Sequence, residues 1–250
     1  RYTVDRLHEE DILGPEGLSE AAPGETTWID VEGADVALLE QLGERLGIHP
    51  LALEDVANLG QRPKVEEYEG CVFMVVLRLS LPEDDGRLES EQISLLVLND
   101  TLVTVRERPS DLVEPLRARL RGGKARIRGG GPGYLAYAVL DTVIDHYFPL
   151  LDTLGERIER LEDSILDSPD PEDLAELHVL RRILAEVRRS IRPLRDVLSH
   201  LLRDDSPQFS ADTQLYLRDA ADHVSRAVDS EELYREMVVS LTEIYLTGVS

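Results

Sequence analysis

The chain has few of the residues that build disulfide scaffolds or membrane spans. It contains one cysteine among 250 residues, so no internal disulfide is possible, and Cys71 lies in an apolar run where we expect it to be buried. A membrane-spanning helix needs about 20 mostly apolar residues. The best candidate, 133–151, is interrupted by Asp141 and Asp145. The N-terminus has neither an apolar signal core nor an initiator Met, and we expect a trimmed chain.

Basic residues are scarce as well. There are 27 Lys and Arg against 50 Asp and Glu, which gives a formal net charge of −23. Such a field repels nucleic acid and anionic membrane surfaces. We therefore expect divalent cations as partners and no nucleic acid. Hydrophobic residues make up 42% of the chain, which is typical of a soluble globular protein rather than a disordered one.

Catalytic signatures are also missing. The histidines are scattered, and neither His-Glu-x-x-His nor Cys-x-x-Cys nor Gly-x-Ser-x-Gly occurs. In the glycine-rich stretch 121–132, Lys124 is followed by Ala125, so the hydroxyl that a phosphate-binding loop needs for Mg²⁺ is absent. We expect no enzyme activity.

The pattern along the chain predicts an α+β fold. Apolar runs indicate strands over 26–31, 70–81, 88–98 and 101–105, with a turn at 82–86. Helical spacing indicates helices over 36–46, from Pro50 onward, and over about 109–120. We expect an α/β sandwich whose mixed, largely antiparallel sheet is flanked by helices.

Beyond the glycine-rich stretch, the pattern becomes entirely helical. Three long helices are predicted, over 133–168, 170–203 and 210–250, with Asp170 capping the second. Pro149 and Pro193 should kink these helices or shift their boundaries. We expect 121–132 to be a flexible hinge, 1–128 to be an α/β sandwich regulatory domain, and 133–250 to be a bundle of long helices.

Three groups of acids interrupt apolar stretches: Glu54 with Asp55, Asp141 with Asp145, and Asp219 with Asp222. A carboxylate at an apolar seam is costly unless it is paired, protonated or bound to a cation. Arg218 is one such partner for the last group, but acids outnumber bases by too many for complete pairing. Mg²⁺ uses only one or two carboxylates and keeps several waters, so sparse acid pairs suit it.

Several stretches closely resemble the cytoplasmic domain of the CorA magnesium transport family. They are GIHPLALEDV at 47–56, QRPKVE at 61–66, LESEQISL at 88–95, DHYF at 145–148, RPLR at 192–195 and YLTGVS at 245–250. The resemblance implies an α/β sandwich followed by long helices, the last of which continues into the membrane. It implies a homopentamer on the cytoplasmic side of the inner membrane, in which Mg²⁺ bound between neighbouring subunits holds the pore closed.

The same resemblance implies roles for individual acids. Asp55 and Asp219 match the positions that share the principal ion, and Glu54, Asp141 and Asp222 match the surroundings of a second, weaker ion. This chain would be the Mg²⁺-sensing part, with Co²⁺ or Zn²⁺ as possible substitutes. It ends before the pore and the Gly-Met-Asn signature, so it would not conduct ions and would reach the membrane only through C-terminal helices that follow.

Other interpretations stay open on the sequence. A zinc transporter of the ZntB type shares the architecture, and His223 lies four residues after Asp219, where a carboxylate and an imidazole face one way. A helical scaffold whose acids only keep it in solution is a second alternative. A metal-dependent hydrolase would need a pocket of converging carboxylates.

Overall fold

A computed structural model describes residues 1–12, 14–18, 21–33, 35–82, 87–203 and 206–248. Its centre is one five-stranded sheet in the order β1-β5-β4-β3-β2. The strands are β1 (Thr27–Glu32), β2 (Lys64–Tyr68), β3 (Cys71–Ser80), β4 (Glu89–Val97) and β5 (Thr101–Arg106). β1 pairs with β5 in parallel, and the other pairs are antiparallel. The predicted mixed, largely antiparallel sheet is therefore confirmed.

The central strands are apolar on both faces because helices cover both sides of the sheet. Val72, Met74 and Val76 of β3 point to one side, and Phe73 and Val75 point to the other; all five are buried. On the second side lie helix α1 (Val36–Leu46) and helix α2 (Pro50–Ala57). Cys71 is buried in the same layer, as the sequence predicted.

The remaining helices begin on the first side of the sheet and extend beyond it. They are α3 (Glu114–Arg121), α4 (Ala125–Gly129), α5 (Gly131–Asp145), α6 (Tyr147–Asp167), α7 (Pro171–Ile191), α8 (Leu194–Leu201) and α9 (Ala211–Gly248). α9 packs against α5, α6, α7 and α8. Its 38 residues span about 57 Å at 1.5 Å per residue.

Two of the three predicted long helices are divided. The first ends at Asp145, and α6 begins at Tyr147, which places Pro149 in the first turn of a new helix, where its missing N–H costs no hydrogen bond. The second ends at Ile191, and Pro193 precedes α8. Asp170 caps α7 as predicted, because its side chain accepts from the backbone N–H of Glu172.

Two local features differ from the sequence prediction. The stretch 121–132, which the sequence predicted to be a flexible hinge, contains the short helix α4, and Ile127 of this helix is fully buried. Strand β2 was not predicted, since only Val65 and Tyr68 among its five residues are large and apolar. Residues 83–86 of the predicted turn, and the last two residues of the resembling stretch 245–250, lie outside the described residues.

The apolar core beneath the first side of the sheet continues into the long helices. Val76 and Leu95 belong to the same buried cluster as Leu154 and Leu184. The division into a domain over 1–128 and another over 133–250 stays a prediction.

Candidate metal centre

Four side chains from two helices gather at the junction of α5 and α9. Asp141 and Asp145 are four residues apart on α5, and Asp219 and His223 are four residues apart on α9, so each pair lies on one side of its helix. Ligand atoms of Asp141, Asp145 and His223 all lie within 4.8 Å of one another. We call these four residues the α5–α9 cluster.

His223 is at the centre of the α5–α9 cluster. Its Nδ1 is 4.0 Å from Oδ1 of Asp145, and its Nε2 is 3.7 Å from Oδ2 of Asp219. Nδ1 is buried and has no hydrogen-bond partner within the described part of the chain. The ring also lies nearly perpendicular to that of Phe148, with centroids 6.1 Å apart. The imidazole is therefore held between two carboxylates without a close hydrogen bond to either.

The carboxyl group of Asp141 is in an unfavourable environment for its charge. Burial raises its pKa above the usual range, and the neighbouring negative charge of Asp145 raises it further. A hydrogen bond from the hydroxyl of Tyr137 acts in the opposite direction without cancelling the effect. A bound cation would relieve this penalty, because an opposite charge nearby favours the ionised carboxylate.

Asp145 and Asp219 provide the open side of the α5–α9 cluster. Their side chains are 63% and 65% exposed. Asp222 is also exposed on α9, but the group of close ligand atoms does not include it. Carboxylate oxygens suit Mg²⁺, while an imidazole nitrogen adds a ligand that Co²⁺ and Zn²⁺ accept more readily.

Asp55 and Glu54 lie in a different place. Both are on α2, which packs on the side of the sheet opposite to α5, so the chain does not bring them to the α5–α9 cluster. Glu54 is exposed. Oδ2 of Asp55 is 2.7 Å from Nζ of Lys64, a side chain that also reaches Oε1 of Glu66 at 2.8 Å.

Lys64 was missed as a partner of Asp55 in the sequence analysis. It stands on β2, the strand that was not predicted, where its ammonium group already neutralises this carboxylate. Burial lowers the pKa of Lys64, but the hydrogen bonds to Asp55 and Glu66 outweigh it and raise the pKa overall. The ammonium therefore stays charged at neutral pH.

The sequence spacing anticipated two members of the α5–α9 cluster that were left out of the implied ligand set. Asp145 was recognised by its four-residue spacing from Asp141, and His223 by its spacing from Asp219. The spacing could not show that the two helices meet at these residues, since that depends on how α9 packs against α5.

Comparison with known proteins shows which family this architecture belongs to. A family model described as CorA-like Mg²⁺ transporter protein matches residues 23–250. A cobalt/magnesium transport protein CorA from Thermotoga maritima is 36% identical over 251 residues, covering 100% of this chain and 72% of that protein. The chain belongs to the CorA family. The family resemblance given by the sequence is thereby confirmed.

Solved structures share the fold of this CorA family member. The complete structure of the CorA magnesium transporter from Methanocaldococcus jannaschii superposes with a TM-score of 0.76 at 25% identity, covering 92% of this chain and 73% of that one. A zinc transport protein ZntB from Klebsiella pneumoniae is 28% identical over 175 residues, which are 70% of this chain and 52% of that protein. In the described ranges, no helix is both long enough and apolar enough to span a bilayer.

Proposed function

We propose that this chain is the Mg²⁺-sensing and gating domain of a CorA-type divalent cation transporter, positioned on the cytoplasmic side of the membrane. Mg²⁺ bound by acidic residues of adjoining subunits stabilises a closed homopentamer. When Mg²⁺ falls, the acidic surfaces lose their bridges and repel one another. A cation shifts the population only by binding the closed assembly more tightly than the open one.

The α5–α9 cluster is the observation that carries the proposal. It places the carboxylates of Asp141 and Asp145 within reach of the His223 imidazole, and Asp219 lies 3.7 Å from Nε2 of the same ring. The raised pKa of Asp141 indicates an unsatisfied demand for positive charge. The net charge of −23 means that adjoining copies repel in the absence of cations. Family membership supports transport of divalent cations by the whole protein.

The position of Asp55 supports a site shared between copies. Asp55 and Asp219 lie on opposite sides of the sheet, so one chain does not bring both to a single ion. A second copy that presents α2 to the α9 of the first would bring them together. Asp55 would then exchange the ammonium group of Lys64 for the ion.

Zinc or cobalt is the second candidate ion, and His223 is the residue that favours it. Its unpartnered Nδ1 in the α5–α9 cluster is a ligand that Zn²⁺ and Co²⁺ bind well and Mg²⁺ does not. If the acids only keep a helical scaffold in solution, no cation should stabilise the fold beyond screening.

Metal titration of the cluster variants tests the proposal. Calorimetry with Mg²⁺, Co²⁺ and Zn²⁺ at matched ionic strength should give binding for the parent chain, and Asp219→Asn and Asp141→Asn should each weaken Mg²⁺ binding about tenfold or more. His223→Gln should weaken Zn²⁺ and Co²⁺ more than Mg²⁺. Asp229→Asn, on α9 but away from the cluster, is the control. Mg²⁺ binding that is equal in all variants contradicts the assignment.

A further inference from the structure

A groove of about 460 Å³ between α7 and α9 is lined by arginine over an apolar floor. Arg181, Arg188 and Arg189 of α7 and Arg235 of α9 provide the charge, and Leu184 and Val238 belong to the floor. We call this the arginine groove. Arg181, Arg189 and Arg235 are exposed, and Arg188 is partly buried.

The charge of the arginine groove is largely unpaired inside the chain. Arg181, Arg188 and Arg235 form no ion pair within 4 Å with any residue that the structure describes, and Arg189 reaches only Glu186, at 3.9 Å. Nearby Glu231 is buried, and one of its oxygens has no hydrogen-bond partner. Burial raises the pKa of Glu231 despite the charges of Arg188 and Arg235. Unpaired arginines are unexpected where acids outnumber bases 50 to 27.

The complementary surface lies on α6. Asp152, Glu156, Glu159 and Asp163 are spaced by four, three and four residues, so they share one side of the helix. All four are exposed, and across the described ranges none of them forms an ion pair. We call them the acidic stripe.

The acidic stripe and the arginine groove lie at the same height along α9. Gly155 of α6 packs on Tyr234 of α9, since a Cβ at position 155 would lie 2.6 Å from the tyrosine oxygen. Burial raises the pKa of Tyr234, and the charges of Asp152 and Glu159 add to that effect, which places the stripe close to this residue. Arg235, the next residue of α9, lines the groove. The two surfaces are therefore within about one helical turn, or 5.4 Å, of each other in height.

We propose that the arginine groove of one subunit receives the acidic stripe of a second copy of this chain. The two surfaces are complementary in charge. They are formed by different helices that pack against α9: the groove lies between α7 and α9, and the stripe is on α6. A contact between two different surfaces closes into a ring only when the rotation carries no rise along the axis. Because the arginine groove and the acidic stripe lie at equal height along α9, a rotation about a symmetry axis parallel to this helix can bring them together without a rise. This inference rests on the proposed function in one respect, namely that copies of the chain associate into a homo-oligomer.

Charge reversal tests the pairing. Arg188→Glu with Arg235→Glu should weaken self-association of the 250-residue chain in Mg²⁺ about tenfold, as should Glu156→Lys with Glu159→Lys. An equimolar mixture of the two double variants should restore association, because one groove then matches the other stripe. Arg182→Glu, exposed on α7 outside the groove, is the control. Sedimentation velocity gives the masses.

Cysteine cross-linking tests the same contact without reversing charge. Ala185 lines the groove, and the chain has a single cysteine, Cys71, which is buried. Ala185→Cys combined with Glu156→Cys should give a ladder of disulfide-linked chains on a non-reducing gel, while each single variant should stay largely unlinked.

The outcomes separate this inference from the proposed function. If the chain associates in Mg²⁺ and neither charge-reversed double variant weakens this association, the pairing is wrong and the proposed Mg²⁺-sensing function is unaffected. Binding of inorganic tripolyphosphate to the groove with no change in association on charge reversal overturns it in favour of a small-anion site. A wild-type chain that stays monomeric in every condition overturns it as well.

Discussion

Lys64 stands beside Asp55 where a divalent cation would otherwise bind. The ion pair is partly exposed, so its net contribution to stability is on the order of 0–1 kcal/mol. It is nonetheless a direct competitor for the carboxylate, because both the ammonium group and a metal ion need the same oxygens.

Removing that competitor should strengthen the response to Mg²⁺. Lys64→Gln should lower the Mg²⁺ concentration at half-maximal assembly by about threefold to tenfold, since Asp55 no longer exchanges an ammonium group for the ion. Light scattering during a Mg²⁺ titration measures the midpoint. Lys124→Gln, an exposed lysine on the glycine-rich stretch, is the matched control. An unchanged midpoint for Lys64→Gln would show that Asp55 does not bind the ion.

Asp141 should make Mg²⁺ binding dependent on pH. Burial and the charge of Asp145 raise its pKa in the folded chain above the ordinary 3.8. As the pH falls through this raised pKa, the proton competes with the metal and the affinity should decrease. In the metal-free chain, the pH dependence of folding stability has the opposite sign. The contribution of Asp141 is largest at a pH below its pKa in the unfolded chain, and it is lost as the pH rises through its pKa in the folded chain.

Both dependences should be reduced in Asp141→Asn, which does not titrate. Calorimetry with Mg²⁺ and urea unfolding, each over a series of mildly acidic pH values, measure them. The account of Asp141 is wrong if the parent and the variant give parallel curves.

At the scale of elements, the first turn of α5 packs closely against the backbone of another segment. A Cβ at Gly133 would lie 2.0 Å from the backbone oxygen of Gln208 in the segment that precedes α9. Replacing a helical glycine by alanine ordinarily stabilises a helix by about 1 kcal/mol. Here the clash is with backbone, which cannot rotate away.

Gly133→Ala should therefore destabilise the chain by about 1–3 kcal/mol instead of stabilising it. Gly43→Ala on α1 is a useful comparison, because its Cβ would meet only the side chain of Leu53, which can change rotamer. Gly43→Ala should therefore lower the free energy of unfolding by less than Gly133→Ala does. Urea unfolding of the two variants gives the free energies, and a stabilised Gly133→Ala would contradict the packing.

The elements that the sequence predicted well are those with strong periodicity. The apolar runs of β3 and β4 and the helical spacing of α1 and α9 correspond to elements in the structure. Strand β2 lacks such a run and is held by pairing with β3, a long-range effect that no local pattern reveals. The break between α5 and α6 at His146 could not be located from the sequence either, because Pro149 is compatible with either a kink or the first turn of a new helix.

The candidate site divides in the same way. Spacing alone placed Asp141 with Asp145 and Asp219 with His223, since each pair needs only the helical period. The meeting of those pairs depends on the packing of α5 against α9, and the pairing of Asp55 with Lys64 depends on β2. Contacts between distant segments were thus beyond the sequence analysis, whereas contacts within one helix were not.

For the whole molecule, charge is the dominant constraint on assembly. A chain of net charge −23 repels its own copies, and screening by monovalent salt weakens this repulsion without directing which surfaces meet. A divalent ion held by the α5–α9 cluster would both neutralise part of this charge and determine which surfaces meet. The long helix α9 carries the cluster near its first residues, and about 40 Å of helix, at 1.5 Å per residue, lies between the cluster and the other end.

The mass of the chain in solution with and without Mg²⁺ tests the central claim most directly. Sedimentation at millimolar Mg²⁺ should give the mass of about five chains, and NaCl at the same ionic strength should leave a smaller species. Asp219→Lys should assemble without Mg²⁺, because its ammonium group takes the place of the ion. A mass that is the same in Mg²⁺ and in NaCl would contradict the account.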